Sequence, residues 1–88
     1  MEIGFEDTGS GGRYTLGDAH LSFSRAGETR WIADATVVPD AMRGTGAGLA
    51  MVERLVADAR AAGVTIVALC PFVRAQARRH PEWRDVVE

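Results

Sequence analysis

The 88-residue sequence predicts one α+β domain spanning residues 1–88, an antiparallel sheet followed by a helix–strand–helix unit. Three observations predict it. Residues 13–38 alternate apolar and polar side chains between turn-forming pairs, as half-buried strands do. From Gly48 the apolar spacing becomes helical. Behind that helix, an apolar run from Val64 to Cys70 has strand length and is bounded by Gly63 and Pro71.

The elements follow in order. A short strand is expected around Ile3–Phe5, and "DTGSGG" (Asp7–Gly12) is a loop by composition. "RYTL" (Arg13–Leu16) is a strand, and Gly17-Asp18 is a turn. "AHLSFS" puts Ala19, Leu21 and Phe23 on one face and His20, Ser22 and Ser24 on the other. "RAGE" closes a hairpin into the β-rich stretch Thr29–Val38, which ends at Pro39. Leu49, Val52, Leu55, Val56 and Ala59 then form the stripe of an amphipathic helix, with Gly63 as its C-terminal stop. Val64–Cys70 reads as a strand buried on both faces, crossing over right-handed to lie parallel to Thr29–Val38. Pro71 suits the first position of a short helix to Arg79, which Pro81 stops. "EWRDVV" closes the chain as a last strand or turn.

Composition excludes several functions. A domain of this length buries only roughly 60–65% of the surface its unfolded chain exposes, so its core is thin. The net charge of −2 disfavours nucleic-acid binding. No apolar run approaches the ~18 residues of a membrane span, and the acidic N-terminus lacks the basic and apolar regions of a signal peptide. The single cysteine rules out an internal disulfide and a cysteine-based zinc site. A cytoplasmic protein without membrane or nucleic-acid partners is expected, and the Arg/Ala/Gly/Val bias suggests a bacterial, GC-rich source. All ten basic residues are arginine. Without lysine, Schiff-base chemistry and a Walker-type phosphate lysine are impossible.

The stretch "RGTGAG" (Arg43–Gly48), between a predicted strand and helix, is the strongest functional signal. A Walker A loop would need Gly-Lys-Ser/Thr where Leu49-Ala50 stands. A dinucleotide fingerprint from Gly44 would need glycine at Leu49, and an acidic residue where Ala68, Leu69 and Cys70 stand. Nucleotide binding is therefore the weaker reading. The stretch also resembles the pyrophosphate loop of acetyl-CoA-dependent N-acetyltransferases, the GNAT superfamily, whose Gln/Arg-x-x-Gly-x-Gly/Ala pattern is matched by Arg43, Gly46 and Gly48. The first amides of a helix have no internal partner and sit at the positive end of its dipole, so they can receive a diphosphate. The plain alternative is a turn.

"DATVVPDAMRGTGAG" followed by "CPFVRAQARRHPEW" resembles the GNAT superfamily of acetyl-CoA-dependent N-acetyltransferases. Within it, the chain is similar to the small YjdJ-type N-acetyltransferase-like proteins over roughly residues 13 to 84. The resemblance implies a half-sized acetyltransferase fold and an acetyl-CoA (CoA) cofactor. Main-chain groups of Thr36, Val37 and Val38 would hold the pantetheine arm and acyl carbonyl. Arg43, Gly44, Thr45, Gly46, Ala47, Gly48 and Leu49 would hold the diphosphate, and Cys70 and Phe72 would contact the cofactor. Relatives commonly read His-Thr-Glu where this chain has Ala35, Thr36 and Val37, and often carry an aromatic at Gln76. A family-style proton relay therefore does not carry over.

Cys70 is the candidate catalytic residue. At a helix N-terminus with Arg74 one turn on, its thiol pKa should fall and favour a thiolate that could take up an acetyl group. It could also line the cofactor channel, or be a small buried hydrophobe. Asp34 and Asp40 read as solvated or turn residues. His20 and His80 have no metal-ligand partner at usable spacing, and Trp31 and Trp83 read as core or edge aromatics. Arg74, Arg78 and Arg79 form a solvated basic face or contact the 3′-phosphate of CoA. Two functions stand: an N-acetyltransferase acting on an amine of a peptide, protein or small molecule, or a non-catalytic CoA or acyl-CoA-binding module serving as sensor or interaction subunit.

Overall fold

The computed structural model describes residues 2–88. Four antiparallel strands, β1 (Gly4–Asp7), β2 (Gly11–Leu16), β3 (Ala19–Ala26) and β4 (Arg30–Val37), lie side by side in chain order. Helix α1 (Ala47–Ala62) then returns the chain to β5 (Thr65–Ala68), which pairs parallel to β4. Helix α2 (Pro71–Arg79) and a 3-10 turn (Pro81–Trp83) follow. The α+β architecture and the parallel crossover match the sequence expectation.

One face of the sheet carries the core. Tyr14, Leu21, Phe23, Ala33 and Ile66 are all buried there, with Tyr14 opposite Leu21, Phe23 opposite Ala33, and Trp31 opposite Ile66. The stripe of α1, Met51, Val52, Leu55, Val56 and Ala59, joins this core, as does Val73 of α2. Each such large aliphatic side chain contributes on the order of 1.5–3 kcal/mol when fully buried. Phe23 stacks on Trp31 at 4.5 Å between ring centroids. One polar link ties helix to sheet: the Tyr14 hydroxyl donates to Asp58 Oδ2 at 2.7 Å. The helix ends as its sequence requires, with left-handed Gly63 donating back to Arg60 O.

Two expectations are corrected. Gly11 and Gly12 belong to β2 rather than to the preceding loop. The reason is packing: a Cβ on Gly12 would lie 2.5 Å from Phe5 Cε1 and 2.8 Å from Phe23 Cε1, so only glycine lets these rings cross the strand. Second, β5 is not buried on both faces. Ile66 is buried, but Thr65, Val67 and Ala68 are half-buried, and Leu69 is 58% exposed. The same holds along the rest of that face, where Thr15, His20, Ser22, Ser24 and Ile32 are half-buried. The core lies on the α1 side of the sheet, and the other face contributes no buried side chain at these positions.

The chain end covers the outer edge of β5. Ile66 N–H donates to Val86 O at 2.7 Å, and Glu88 N–H donates to Ile66 O at 2.9 Å, a one-residue parallel bridge through Val87. Arg60 clasps Asp85 with two hydrogen bonds of 3.0 and 2.8 Å.

Candidate functional site

The site starts with an irregularity in β4. The β3–β4 register shifts between Ser22↔Ala35 and Phe23↔Ala33, leaving Asp34 unopposed as a bulge. Its carboxylate accepts from the Ser24 hydroxyl at 2.6 Å. The β4–β5 ladder ends at Ala33↔Ala68, closed by Cys70 N–H donating to Ala33 O at 2.9 Å. Beyond that point β4 runs on to Val37 while the chain after β5 turns into α2. The strands therefore part, and residues 34–37 of β4 have no strand partner on the β5 side.

Into this opening points the N-terminus of α1. A 3-10 turn, Asp40–Met42, and the glycine loop lead up to it. Gly44 and Gly46 adopt left-handed conformations, φ 81° and 83°, which side-chain-bearing residues rarely take. Gly46 is the N-cap, so the helix start lacks the side-chain acceptor that Ser, Thr, Asp or Asn would offer. Thr45 does not replace it. Its hydroxyl donates to Met42 O and accepts from Ala47 N–H at 3.4 Å. The amides of Gly44, Gly46, Gly48 and Leu49 donate to no acceptor among the described residues. Free amides at a helix N-terminus form an anion-receiving surface.

A cleft of about 450 Å³ lies against these amides. Of the residues expected at the site, all but Val37, Thr45 and Cys70 line it. Val37, between Thr36 and Val38, is 46% exposed and lies outside the cleft. Met42 and Gln76 line it as well. The sequence marked Gln76 only as a position where relatives often carry an aromatic, and nothing in it singled out Met42.

Gly48 has a different role from its neighbours. It is buried, and a Cβ there would lie 2.7 Å from Phe72 Cζ and 3.4 Å from Val38 Cγ2. The space is filled by Phe72, so Gly48 lets α2 approach the first turn of α1. Arg43 lines the cleft, with its guanidinium paired to Asp40 at 3.1 Å. Both side chains are exposed, and such a pair is worth at most about 1 kcal/mol, so the guanidinium is free to change partner.

Cys70 sits at the N-cap of α2, as the sequence predicts, and is 4% exposed. Its thiol donates to Thr36 Oγ1 at 3.4 Å. Arg74 does not turn toward it. The guanidinium donates to Ala68 O and Leu69 O at 3.2–3.4 Å instead. His80 stacks on Trp83 at 4.1 Å with its Nδ1 2.7 Å from Gln76 O, a packing role. Among the described residues no cluster of His, Cys, Asp or Glu is arranged to hold a metal, and no helix is long and apolar enough to cross a membrane.

No curated protein matches the chain. A family model described as GCN5-related N-acetyl-transferase matches residues 13–86, from within β2 to the residue before the chain-end bridge. The strand opening, the uncapped glycine N-terminus and the cleft between them all fall inside that match, and the chain belongs to the GCN5-related N-acetyltransferase family.

Proposed function

We propose that this protein binds acetyl-CoA and transfers its acetyl group to a primary amine. The observation that carries the reading is the set of free amides at Gly44, Gly46, Gly48 and Leu49 on the cleft wall. They match a diphosphate such as that of CoA, since free main-chain amides at a helix N-terminus receive anions. From there the pantetheine arm would follow Thr36 and Val38 along unpartnered β4 toward the strand opening. Acetyl-CoA fits these residues better than a nucleoside triphosphate, because the chain has no lysine for the terminal phosphates.

Arg43 is the only ionisable side chain lining the cleft among the described residues. Catalysis would therefore rest on holding the thioester where an amine can reach it. The amine, deprotonated in solution, attacks the carbonyl carbon. A C–N bond forms, the C–S bond breaks, and the amine's proton passes by way of water to the departing thiolate. The acceptor would enter where β4 and β5 part. Exposed Val37 and Leu69 stand at the two strand ends there. Cys70 serves this reading as a positioning residue, because its buried thiol is hydrogen bonded to Thr36 and lies outside the cleft lining.

The same absence of a base favours a second reading, a CoA-binding module without transfer. Calorimetric titration of CoA, acetyl-CoA and ATP into wild type and Gly46→Glu separates the outcomes. Binding of CoA that Gly46→Glu abolishes supports the loop assignment, and equal binding by both proteins would sink it. Acetyl transfer to an amine and peptide panel then decides between enzyme and module. Intact mass after incubation with acetyl-CoA should show no adduct dependent on Cys70.

A further inference from the structure

A second cleft of about 340 Å³ lies outside the site just described. Phe72 and Gln76 of α2 line the first cleft, while Arg74, Ala77 and Arg78 of the same helix line the second. Phe72 and Arg74 are two positions apart, as are Gln76 and Arg78, which puts the members of each pair on opposite sides of the helix. Ala68, Ala77, Val87 and Trp83 supply the apolar floor of the second cleft, and the Trp83 indole, 7% exposed, is backed by the His80 ring, nearly parallel at 11°.

The arginines of this chain divide sharply. Arg13, Arg25, Arg30, Arg43, Arg54 and Arg60 each pair with a carboxylate. Among the described residues, Arg74, Arg78, Arg79 and Arg84 have no carboxylate partner, and three of these four line the second cleft. The guanidinium groups of Arg78 and Arg84 donate to no acceptor among the described residues, and that of Arg74 binds only main-chain carbonyls. A lone solvated arginine is ordinary. Three that converge on one apolar-floored concavity, in a chain of net charge −2, are not explained by basic composition. Glu88 also lines the cleft, but it is already balanced by Arg30 at 3.0 Å and by the Thr65 hydroxyl at 2.6 Å.

We infer that this cleft binds a small organic phosphate, its phosphate held by Arg74, Arg78 and Arg84 and its body set against the apolar floor. A carboxylate is satisfied by one guanidinium fork. A dianionic phosphate with three terminal oxygens suits three. The volume falls within the usual range of small-ligand sites. The inference does not depend on the acetyl-CoA reading, since the two clefts use different faces of α2.

The test is a two-dimensional NMR titration of the full chain at physiological salt with adenosine 5′-monophosphate. Adenosine and succinate serve as controls. Expected are saturable shifts of the Trp83 indole and of the Ala77 and Val87 amides with the nucleotide, and none with adenosine. Affinity should fall about tenfold or more in Arg78→Gln/Arg84→Gln, from the loss of charge-assisted hydrogen bonds. Both positions are exposed and unpartnered, so the fold is retained. Gly46→Glu should bind the nucleotide like wild type, which separates this site from the first cleft. Shifts confined to residues 44–49, an undiminished response in the double variant, or equal binding of succinate would each overturn the assignment.

Discussion

Replacing Gly48 with alanine separates two reasons for a glycine at that place. If it exists to admit a ligand, alanine should weaken CoA binding and leave packing alone. The structure gives the other answer. Gly48 is the second residue of α1 with ordinary helical geometry, so alanine would gain at most ~1 kcal/mol of propensity, and less so near the helix start. Against that, its Cβ would stand 2.7 Å from Phe72 Cζ and 3.0 Å from Cε2. Comfortable carbon contacts begin near 3.5 Å, so the ring must retreat by close to an ångström. Overpacking of this kind costs about 1–3 kcal/mol. The net expectation is a loss of about 1 kcal/mol, a fall in Tm of roughly 4–8 °C for a domain of this size. The displaced ring lines the first cleft, so CoA affinity should fall as well. Phe72→Leu removes the ring tip and should rescue Gly48→Ala, giving an interaction energy of about 1 kcal/mol in a double-mutant cycle. Thermal unfolding and calorimetry read both quantities. A raised Tm with unchanged CoA affinity in Gly48→Ala, or strictly additive effects with Phe72→Leu, would refute the packing argument.

Tyr14→Phe should cost about 1 kcal/mol at neutral pH by removing the 2.7 Å bond to Asp58. Burial first, and then that bond, push the Tyr14 pKa well above the usual tyrosine value near 10. The unfolded chain thus loses its proton first, and wild-type stability should decline as pH rises above about 10. Tyr14→Phe should lack that decline, and denaturant unfolding at alkaline pH will show it. At the acid end, hydrogen bonds from Arg60 hold the Asp85 carboxyl below its ordinary range. Its contribution is present above the unfolded pKa near 3.9 and is lost as pH falls through the lower folded value. Asp85→Asn should therefore flatten the acid limb and speed hydrogen exchange at the Ile66 and Glu88 amides; unchanged exchange would disconnect the clasp from the edge bridge.

Local chemistry made much of this fold legible. Gly63 stops α1, Pro71 starts α2, and period-two alternation marks β3, each a matter of a few neighbouring residues. The glycine loop was legible for the same reason, since an uncapped helix start is a local property. What escaped was set by distant partners. Gly11 and Gly12 look like loop because their reasons for being glycine, the main chain of Phe23 and Ser24 against Gly11 and the rings of Phe5 and Phe23 against Gly12, lie elsewhere in the chain. The apolar run Val64–Cys70 suggests a strand covered on both faces, but burial depends on where the helices pack, which the run itself does not encode. Arg74 is one turn from Cys70 in sequence, yet the carbonyls left free where β5 ends are a better partner for its guanidinium. The parting of the strands at the Asp34 bulge is likewise invisible to a periodicity that loses only one beat there.

The three alternate glycines of the loop therefore answer to different forces. Gly44 and Gly46 have open space where a side chain would point, and what excludes other residues is the left-handed backbone. Their conformation ends the loop with its amides outward and no cap to consume them. Gly48 answers to Phe72, and through it to the core. Val38, Met42, Leu49 and Phe72 pack against that core and also line the cleft. In a chain of this size the cleft wall is the edge of the core rather than a separate layer. An occupant of the cleft would thus complete the packing of the residues that hold α1 and α2 together. Variants there should rarely change binding without changing stability, whereas those at the second cleft, at Arg78 and Arg84, have no such link to the fold.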